Sequence, residues 1–290
     1  MSSATLRALL AELIDYAGLF PPAALSLTDV HSGYDAYRRS SDAWALGRVV
    51  VPAARLAELS GLVAVDTPEP WRVSALIGDD AAHDTEVIRS VNRVGRLVVD
   101  TAEVRAASAA VVEGTMNALG DFLTVYVEIP AAVEPEQFVA AIGRAGGRAK
   151  IRAGGITPDA FPTAARVARF IACCAENHVA FKATAGLHHP VCGTYPLTYA
   201  ADAPRGPMFG FLNLFLAAGF ARKGLAESVL IELLLAQDAS SLRFTDDAIQ
   251  WREHTLAHSD VVATRDSFAV AFGSCSFREP IDDLYRLGLL

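Results

Sequence analysis

The stretch AFKATAGLHHP, residues 180–190, combines a short apolar run, one lysine and a glycine turn. The run AFKAT has the length of a buried strand, and Gly186 just after it indicates a sharp turn. Of the 25 Lys and Arg residues in the chain, only those at 150, 182 and 223 are lysines. We therefore predict a strand at 180–184 in which the rare lysine has a specific task.

Similar strand-like runs recur along the chain, with helical patterns between them. Strands are predicted at 48–52, 71–77, 96–100, 122–129, 148–152, 180–184 and 268–273, with a weaker one near 13–20. Helical spacing of Ala, Leu, Glu and Arg predicts helices at 53–65, 80–94, 102–119, 135–145 and 161–177. Strands that alternate with helices through short loops form βαβ units and a parallel sheet. Eight such units predict an α/β fold, the (β/α)8 TIM barrel, and no GxGxxG motif follows a strand to favour an open doubly wound sheet.

One long segment interrupts the alternation between the seventh and eighth predicted strands. It covers about 187–262 and begins with an irregular stretch, 187–207, rich in Pro, Gly, His and Tyr. Helices are predicted after it at about 207–222, 224–237 and 245–258. Because TIM barrels place their active sites at the carboxyl ends of the strands, 187–207 is predicted to form an active-site wall or lid. The alternative is an extension that joins copies of the chain. No linker divides residues 1–290, so we predict a single domain.

The composition excludes several classes of partner. The net charge is −8 and no basic stripe is present, which argues against nucleic acid and anionic membranes. The longest apolar run, FGFLNLFLAAGFA, is too short to span a bilayer, and the N-terminus has the pattern of an amphipathic helix. The four cysteines show neither CxxC spacing nor a disulfide framework. We expect a cytoplasmic protein with reduced thiols and a small-molecule substrate, and association into a homo-oligomer is left open.

Strand alternation brings charged side chains to one end of the predicted barrel. In RAKIR, Lys150 and Arg152 share a face, and in AFKAT, Lys182 and Thr184 do so. Their apolar neighbours must face the surrounding helices, so both lysines are predicted to face the barrel interior near its carboxyl mouth. The same argument places Asp100, Thr124, Tyr126 and Glu128 inward.

Two interpretations of these charges remain open. Buried charges are costly unless paired, which favours structural salt bridges between Lys150 and Glu128 and between Lys182 and Asp100. Charges at the carboxyl ends of barrel strands usually carry chemistry, which favours an active site. The choice of lysine in a chain rich in arginine supports the second, because an amine can lose its proton and attack a carbonyl whereas a guanidinium cannot.

Three strand ends resemble class I aldolases of the deoxyribose-phosphate aldolase type. That family has an apolar-Lys-x-Thr/Ser-x-Gly stretch on strand six, a similar lysine stretch on strand seven and a Gly-Ser/Thr turn after strand eight. The corresponding stretches here are AKIRAGG, FKATAG and AFGSCSF. The resemblance implies Lys150 as the Schiff-base lysine and Lys182 as the second lysine that lowers its pKa. It also implies a phosphate-binding turn at Gly273 and Ser274, and a proton relay by Asp100 or Glu128.

Further candidates surround these residues. The amides of Ser274 to Ser276 begin the last predicted helix and are suited to an anion, and Cys275 is suited there to act as a nucleophile. His188 and His189 are candidates for acid–base catalysis, for metal binding with Cys192, or for hydrogen-bonded wall positions. HTLAH places His254 and His258 on one face of the predicted 245–258 helix. Other candidate positions for substrate binding are Asn213, Gly155, Tyr126, Thr184 and Arg152, and Asp15 and Tyr16 in DYAGLFPPA reach the mouth if 13–20 is a strand.

The preferred interpretation is a Schiff-base lyase without a cofactor, acting on a carbonyl metabolite whose carboxylate or phosphate is held by Arg152. Three cations in the mouth would repel a metal ion, so none is expected. The alternatives are an acid–base lyase or isomerase without a covalent step, a metal-dependent hydrolase using His188 and His189, and a non-catalytic barrel that binds an anion.

Overall fold

A computed structural model describes residues 2–130 and 132–290 and contains a closed barrel of eight parallel strands. The first seven are β1 Ile14–Tyr16, β2 Leu46–Pro52, β3 Trp71–Leu76, β4 Leu97–Arg105, β5 Thr124–Glu128, β6 Arg148–Arg152 and β7 Phe181–Thr184. Neighbours in the sheet follow chain order, and a last strand at Ala269–Ser274 closes the barrel between β7 and β1. The predicted (β/α)8 barrel is confirmed, including its weakest strand near 13–20.

Helices follow most barrel strands and cover the sheet. They are α1 Ala4–Leu10, α2 Leu27–Arg38, α3 Leu56–Leu62, α4 Ala81–Val94, α5 Val112–Leu119, α6 Glu136–Arg144 and α7 Ala164–Glu176. Side-chain oxygens of Ser26, Asp80 and Thr163 accept hydrogen bonds from backbone amides in the first turns of α2, α4 and α7. Such caps satisfy amides that have no partner inside the helix, which fixes where each helix begins.

Strand β4 is longer than predicted and contains a bulge. Val73 pairs with Val99, but the next residue, Ser74, pairs with Thr101, so Asp100 is an extra residue in β4. One extra residue shifts the alternation of side chains by one position. Beyond the bulge Glu103, and not Ala102, faces the interior, where its carboxylate accepts a hydrogen bond from Ser74. The predicted helix at 102–119 is correspondingly short and begins at Val112.

The segment between β7 and the last barrel strand has its own structure. A hairpin is formed by β8 Gly193–Pro196 and β9 Arg205–Met208, and it is followed by α8 Phe211–Arg222 and α9 Glu227–Leu234. A small antiparallel sheet comprises β10 Leu242–Phe244, β11 Ala248–Trp251 and β12 His254–Ala257. The segment ends with α10 His258–Ser267, after which come β13 Ala269–Ser274, the closing barrel strand, and α11 Arg278–Arg286.

The helix predicted at 245–258 is wrong. Strands β11 and β12 turn back on each other there, with Arg252 in the left-handed region at φ 52°. Ile249 and Trp251 are both buried and alternate with exposed residues, which is the periodicity of a strand. His254 and His258 therefore lie on a strand and at the start of α10, not on one helix face.

Candidate active site

Five charged side chains meet at the carboxyl end of the barrel and alternate in sign. We call them the charge ladder: Asp15 on β1, Lys182 on β7, Glu103 on β4, Lys150 on β6 and Glu128 on β5. The Nζ of Lys182 lies 2.6 Å from Asp15 Oδ2 and 2.7 Å from Glu103 Oε1. The Nζ of Lys150 lies 2.7 Å from Glu103 Oε2 and 2.7 Å from Glu128 Oε2. Each lysine is thus held between two carboxylates.

The strand register explains why these groups are neighbours. Glu128, Lys150 and Lys182 occupy the same level of β5, β6 and β7 and point the same way. Residues directly opposite each other in adjacent strands share one face of the sheet. The inward orientation predicted from alternation for these three side chains is what the structure shows.

Burial and mutual pairing determine how the ladder is charged. Burial alone would raise the pKa of Glu103, but Lys150 and Lys182 lower it well below its usual range. Burial alone would lower the pKa of Lys182, but Asp15 and Glu103 raise it above the usual lysine value. The pKa of Glu128 is also lowered, because Lys150 outweighs the effect of burial. Glu103 and Lys182 therefore stay ionised across the neutral range.

A cavity of about 440 Å³ opens above the ladder at the barrel mouth. Lys150, Glu103, Arg152 and Thr184 line it, together with backbone of the loops after β6, β7 and β13. A neighbouring groove over β2 to β5 reaches Lys150 and Glu128 as well. Lys182 lines neither space, and its side chain is only 1% exposed. Lys150 lines both spaces, although only 4% of its side chain is exposed.

Two glycines allow the loops after β6 and β7 to form the wall of this cavity. Gly186 has φ 66°, a conformation that side chains disfavour. A Cβ on Gly186 would lie 2.7 Å from the Cα of Gly154, closer than such atoms can approach. Gly154 and Gly155 line the cavity beside Arg152. This close backbone packing holds the wall next to Lys150.

A second group of polar side chains borders the same cavity. We call it the thiol cluster: Cys275 after β13, His188 after β7, Tyr199 between β8 and β9, and Glu279 in α11. His188 Nδ1 lies 2.8 Å from Glu279 Oε2, and its Nε2 lies 4.0 Å from Cys275 Sγ. The hydroxyl of Tyr199 is 3.4 Å from Cys275 Sγ and donates to Glu279 Oε2 at 3.1 Å. Cys275 and His188 line the cavity.

The position predicted for Asp100 is wrong. The bulge leaves it just before the level at which β5 begins, so it lies toward the amino end of the barrel. There it pairs with Arg48 through two hydrogen bonds of 2.8 Å, and 44% of its side chain is exposed. The predicted Lys182–Asp100 salt bridge is consequently absent, and Asp15 and Glu103 are the partners of Lys182. The predicted Lys150–Glu128 pair is present.

Several other candidates lie away from the cavity. Asn213 is fully buried in α8, where it accepts from the amide of Cys192 and donates to the carbonyls of Leu233 and Ala236. Its predicted substrate contact is therefore wrong, and its role is to tie α8 to two neighbouring segments. Ser274 is buried, and its hydroxyl accepts from the amide of Ser276 within the same loop.

Three further candidates support the site from behind or from the side. Tyr126 is buried, with its ring centroid 5.5 Å from the Nζ of Lys182. His189 Nδ1 lies 2.6 Å from Asp283 Oδ2, and its ring stacks on Tyr195. Gly273 lines the cavity next to Thr184. The nearest carboxylate of His188 is Glu279 and that of His189 is Asp283, although His189 Nε2 also lies 4.0 Å from Glu279 Oε1.

Sequence reasoning missed three members of the site. Glu103 was hidden by the bulge, and no pattern in RLVVDTAEV announces it. Glu279 lies in the GSCSFREP stretch, four residues after Cys275. Its closeness in sequence to Cys275 was the available signal. Tyr199 lies in the 187–207 stretch that was predicted to form a wall of the site.

No family model matches the chain, and no curated protein of similar sequence is found. Within residues 2–130 and 132–290, no group of three or more His, Cys, Asp or Glu side chains has the arrangement of a metal site. Over the same ranges, no helix has the length and apolarity needed to cross a membrane. TIM barrels are typical of enzymes that act on small molecules, and the mouth cavity lies where such enzymes place their chemistry.

Proposed function

We propose that the protein is a lyase that forms a Schiff base between Lys150 and a carbonyl metabolite bearing a carboxylate or phosphate. The observation that carries this proposal is the different access of the two lysines. Lys150 borders the mouth cavity, whereas Lys182 is sealed behind it between Asp15 and Glu103. One lysine is thus available to a substrate, and the other supplies a fixed positive charge.

The ladder provides the proton acceptor that an attacking amine needs. Glu103 contacts both lysines, which oppose its protonation, whereas Glu128 contacts Lys150 and not Lys182, so we assign Glu128 as the carboxylate that takes the proton from Lys150. The free amine attacks the carbonyl carbon, the carbonyl oxygen is protonated and leaves as water, and an iminium remains. A carboxylate then takes the proton of the substrate's β-hydroxyl, and the bond between the α- and β-carbons breaks. The β-carbon leaves as the first carbonyl product, and the electron pair of the broken bond moves toward the iminium and leaves an enamine. Reprotonation and hydrolysis then release the second product and restore Lys150.

Two arginines favour an anionic group on the substrate. Arg152 lines the cavity on the strand of Lys150, and Arg105 lines it at the end of β4. Both guanidinium groups lie 3.7 Å from Glu128 Oε1, which leaves further donor positions for a ligand. Guanidinium groups suit the planar, bidentate recognition of carboxylate and phosphate oxygens.

The resemblance to the deoxyribose-phosphate aldolase type supports the same chemistry. It implies a nucleophilic lysine on the sixth strand, a second lysine on the seventh and an acidic relay. Glu128 contacts Lys150 directly and is a better candidate for that relay than Asp100. The substrate class remains that of a small carbonyl compound with one anionic end.

The test is reductive trapping on the intact protein. Acetaldehyde, pyruvate, glyoxylate and glyceraldehyde 3-phosphate are each added with sodium borohydride, and labelled peptides are identified by mass spectrometry. We expect label on Lys150, and we expect Lys150→Arg to abolish it because arginine keeps the charge without a nucleophilic amine. Lys223→Arg, at the exposed salt bridge to Asp260, is the matched control and should leave labelling unchanged. Labelling of Lys182, or of no ladder lysine by any of these compounds, would contradict the proposal.

A second candidate is a lyase or isomerase that uses acid–base chemistry without a covalent step. It is favoured by the two carboxylates around Lys150, which suit an ammonium that donates a proton to substrate. Solvent deuterium exchange at the carbon next to the carbonyl, followed by NMR with the same compounds, separates the two. Exchange by the wild type without borohydride labelling of Lys150 would support the non-covalent enzyme, and exchange accompanied by labelling, with both lost in Lys150→Arg, would support the Schiff base.

A further inference from the structure

The thiol cluster has the order of groups found in a charge relay: thiol, imidazole, carboxylate. We propose that Cys275 is a second nucleophile at the barrel mouth, oriented and activated by His188 and Glu279, and that it accepts the acyl group of an ester or thioester of a small carboxylic acid. The proposal does not require a Schiff base on Lys150. It adds an acyl-transfer activity to the same cavity.

The geometry supplies each relation that a nucleophilic cysteine needs. Glu279 accepts from His188 Nδ1 at 2.8 Å, which turns Nε2 toward Cys275 Sγ at 4.0 Å. A carboxylate on one ring nitrogen fixes the orientation of the imidazole, and the other nitrogen then exchanges a proton with the nucleophile. Cys275 and His188 both line the cavity, so a substrate in the mouth meets the sulfur directly.

The surroundings favour the thiolate form of Cys275. Burial raises its pKa, but the hydrogen bonds from His188 and Tyr199 and a backbone contact at Ala23 more than offset this, so the pKa is lowered. Burial alone would lower the pKa of His188, but Cys275 and Glu279 raise it to about 9. Both shifts favour a thiolate–imidazolium pair over the neutral thiol and imidazole.

The other three cysteines show what an unassisted thiol in this protein is like. Cys173 and Cys174 are packed in α7, and burial raises the pKa of Cys173 to about 11 and that of Cys174 well above its usual value. Burial also raises the pKa of Cys192. Cys275 is as little exposed as Cys192, yet its pKa moves in the opposite direction. The difference comes from its partners and not from its degree of burial.

The proposed reaction balances without an added oxidant or reductant. The thiolate of Cys275 attacks the acyl carbon, and a C–S bond forms as the bond to the alkoxide or thiolate leaving group breaks. His188 Nε2 gives its proton to that leaving group. Water then attacks the S-acyl carbon while His188 takes its proton, and the carboxylic acid and the free thiolate are released. Arg152 and Arg105 line the same cavity and suit an acid group on the acyl chain.

The test uses p-nitrophenyl acetate with the intact protein. We expect a burst of about one equivalent of p-nitrophenolate, and an acetyl group on the peptide that contains Cys275 after rapid acid quench. Cys275→Ala should abolish both, whereas Cys192→Ala, which removes an equally buried thiol outside the cluster, should leave both unchanged. A burst that persists in Cys275→Ala, or an acetyl group found on Lys150 alone, would overturn the proposal. Because this readout is mass on Cys275 and the Schiff-base readout is mass on Lys150, the two proposals fail separately.

Alkylation by iodoacetamide gives a second readout that needs no acyl substrate. The rate for Cys275 as a function of pH should follow an apparent pKa below the ordinary thiol value of about 8.5. His188→Asn should move that midpoint upward by about one unit or more, while circular dichroism confirms that the variant is folded. Identical pH profiles in the wild type and His188→Asn would show that the imidazole does not activate the sulfur, and the proposal would be wrong.

Discussion

The two polar groups at the barrel mouth are built on opposite principles. In the charge ladder every lysine is flanked by two carboxylates, and the central Glu103 is flanked by two lysines. In the thiol cluster one carboxylate, Glu279, accepts from both the His188 imidazole and the Tyr199 hydroxyl. The carboxylates and lysines of the ladder are held in their charged forms by mutual pairing, whereas the cluster pairs a thiol whose pKa is lowered with an imidazole whose pKa is raised to about 9. The charge ladder fixes the positions of its side chains and the electrostatic field at the barrel mouth. The thiol cluster is suited to exchanging protons.

The largest difference between the two groups should appear when Glu103, the central carboxylate of the charge ladder, is replaced. Glu103→Gln leaves Lys150 and Lys182 each with one carboxylate fewer in a buried site, so we expect a loss of about 3–5 kcal/mol in the free energy of unfolding. Urea unfolding at pH 7, followed by circular dichroism, measures it. Glu279→Gln is the matched change in the thiol cluster, where the carboxylate is partly exposed, and its cost should be well below that of Glu103→Gln. Equal losses of unfolding free energy in the two variants would show that the charge ladder contributes no more to stability than the thiol cluster.

The pH dependence of that loss sharpens the same point. The pKa of Glu103 is lowered in the folded protein, so its contribution is fully present above the unfolded value of about 4.3 and is lost as pH falls toward the folded value. The stability gap between wild type and Glu103→Gln should therefore be constant from about pH 5 to 8 and should narrow below about pH 4. Urea midpoints taken across this range test it. A gap that widens on acidification would mean that Glu103 is protonated in the native state.

A smaller effect is expected at the edge of the thiol cluster. Tyr199→Phe removes a hydroxyl that donates to Glu279 Oε2 at 3.1 Å and lies 3.4 Å from Cys275 Sγ, without changing the shape of the ring. We expect iodoacetamide to alkylate Cys275 several-fold more slowly at pH 7, and we expect stability to change by about 1 kcal/mol. Faster alkylation would indicate that Tyr199 shields the sulfur and does not stabilise its charge.

The smallest effect should come from the pair that lies outside both groups. Asp100→Asn weakens a partly exposed bond to Arg48 near the amino end of the barrel. Such pairs typically contribute up to about 1 kcal/mol, so urea unfolding should shift little and borohydride labelling of Lys150 should not change. Loss of Lys150 labelling in this variant would indicate that Asp100 acts at the mouth of the barrel.

The sequence predicted the ladder where the strands are regular and failed where one is not. Lys150, Lys182 and Glu128 lie in strands with uninterrupted alternation, so their inward orientation could be derived from spacing alone. Glu103 lies beyond a bulge whose position depends on pairing with β3, and a single strand carries no mark of it. Alternation counted from Val99 consequently assigned Asp100 to the mouth.

The thiol cluster was harder to predict because it joins residues far apart in the chain. Cys275 and His188 could be nominated individually as groups that follow the last two barrel strands. Their alignment with Glu279 and Tyr199 depends on how α11 and the 187–207 segment fold over the mouth, which local propensity does not encode. Asn213 shows the same limit, since a buried amide in an apolar helix suits substrate and backbone equally well until its neighbours are known.

Closure of the barrel between its first and last strands also orders the site in time. Asp15 leaves the ribosome 167 residues before its partner Lys182, and β13, which pairs with β1, follows later still. At synthesis rates of roughly 5–20 residues per second, the Asp15 carboxylate exists for on the order of ten seconds before Lys182 is made. Until β13 has been synthesised, the nascent chain lacks the strand that closes the barrel against β1 and the cysteine that follows that strand. A chain that stops before β13 therefore lacks both the closed barrel and Cys275, although it already contains the two lysines of the ladder.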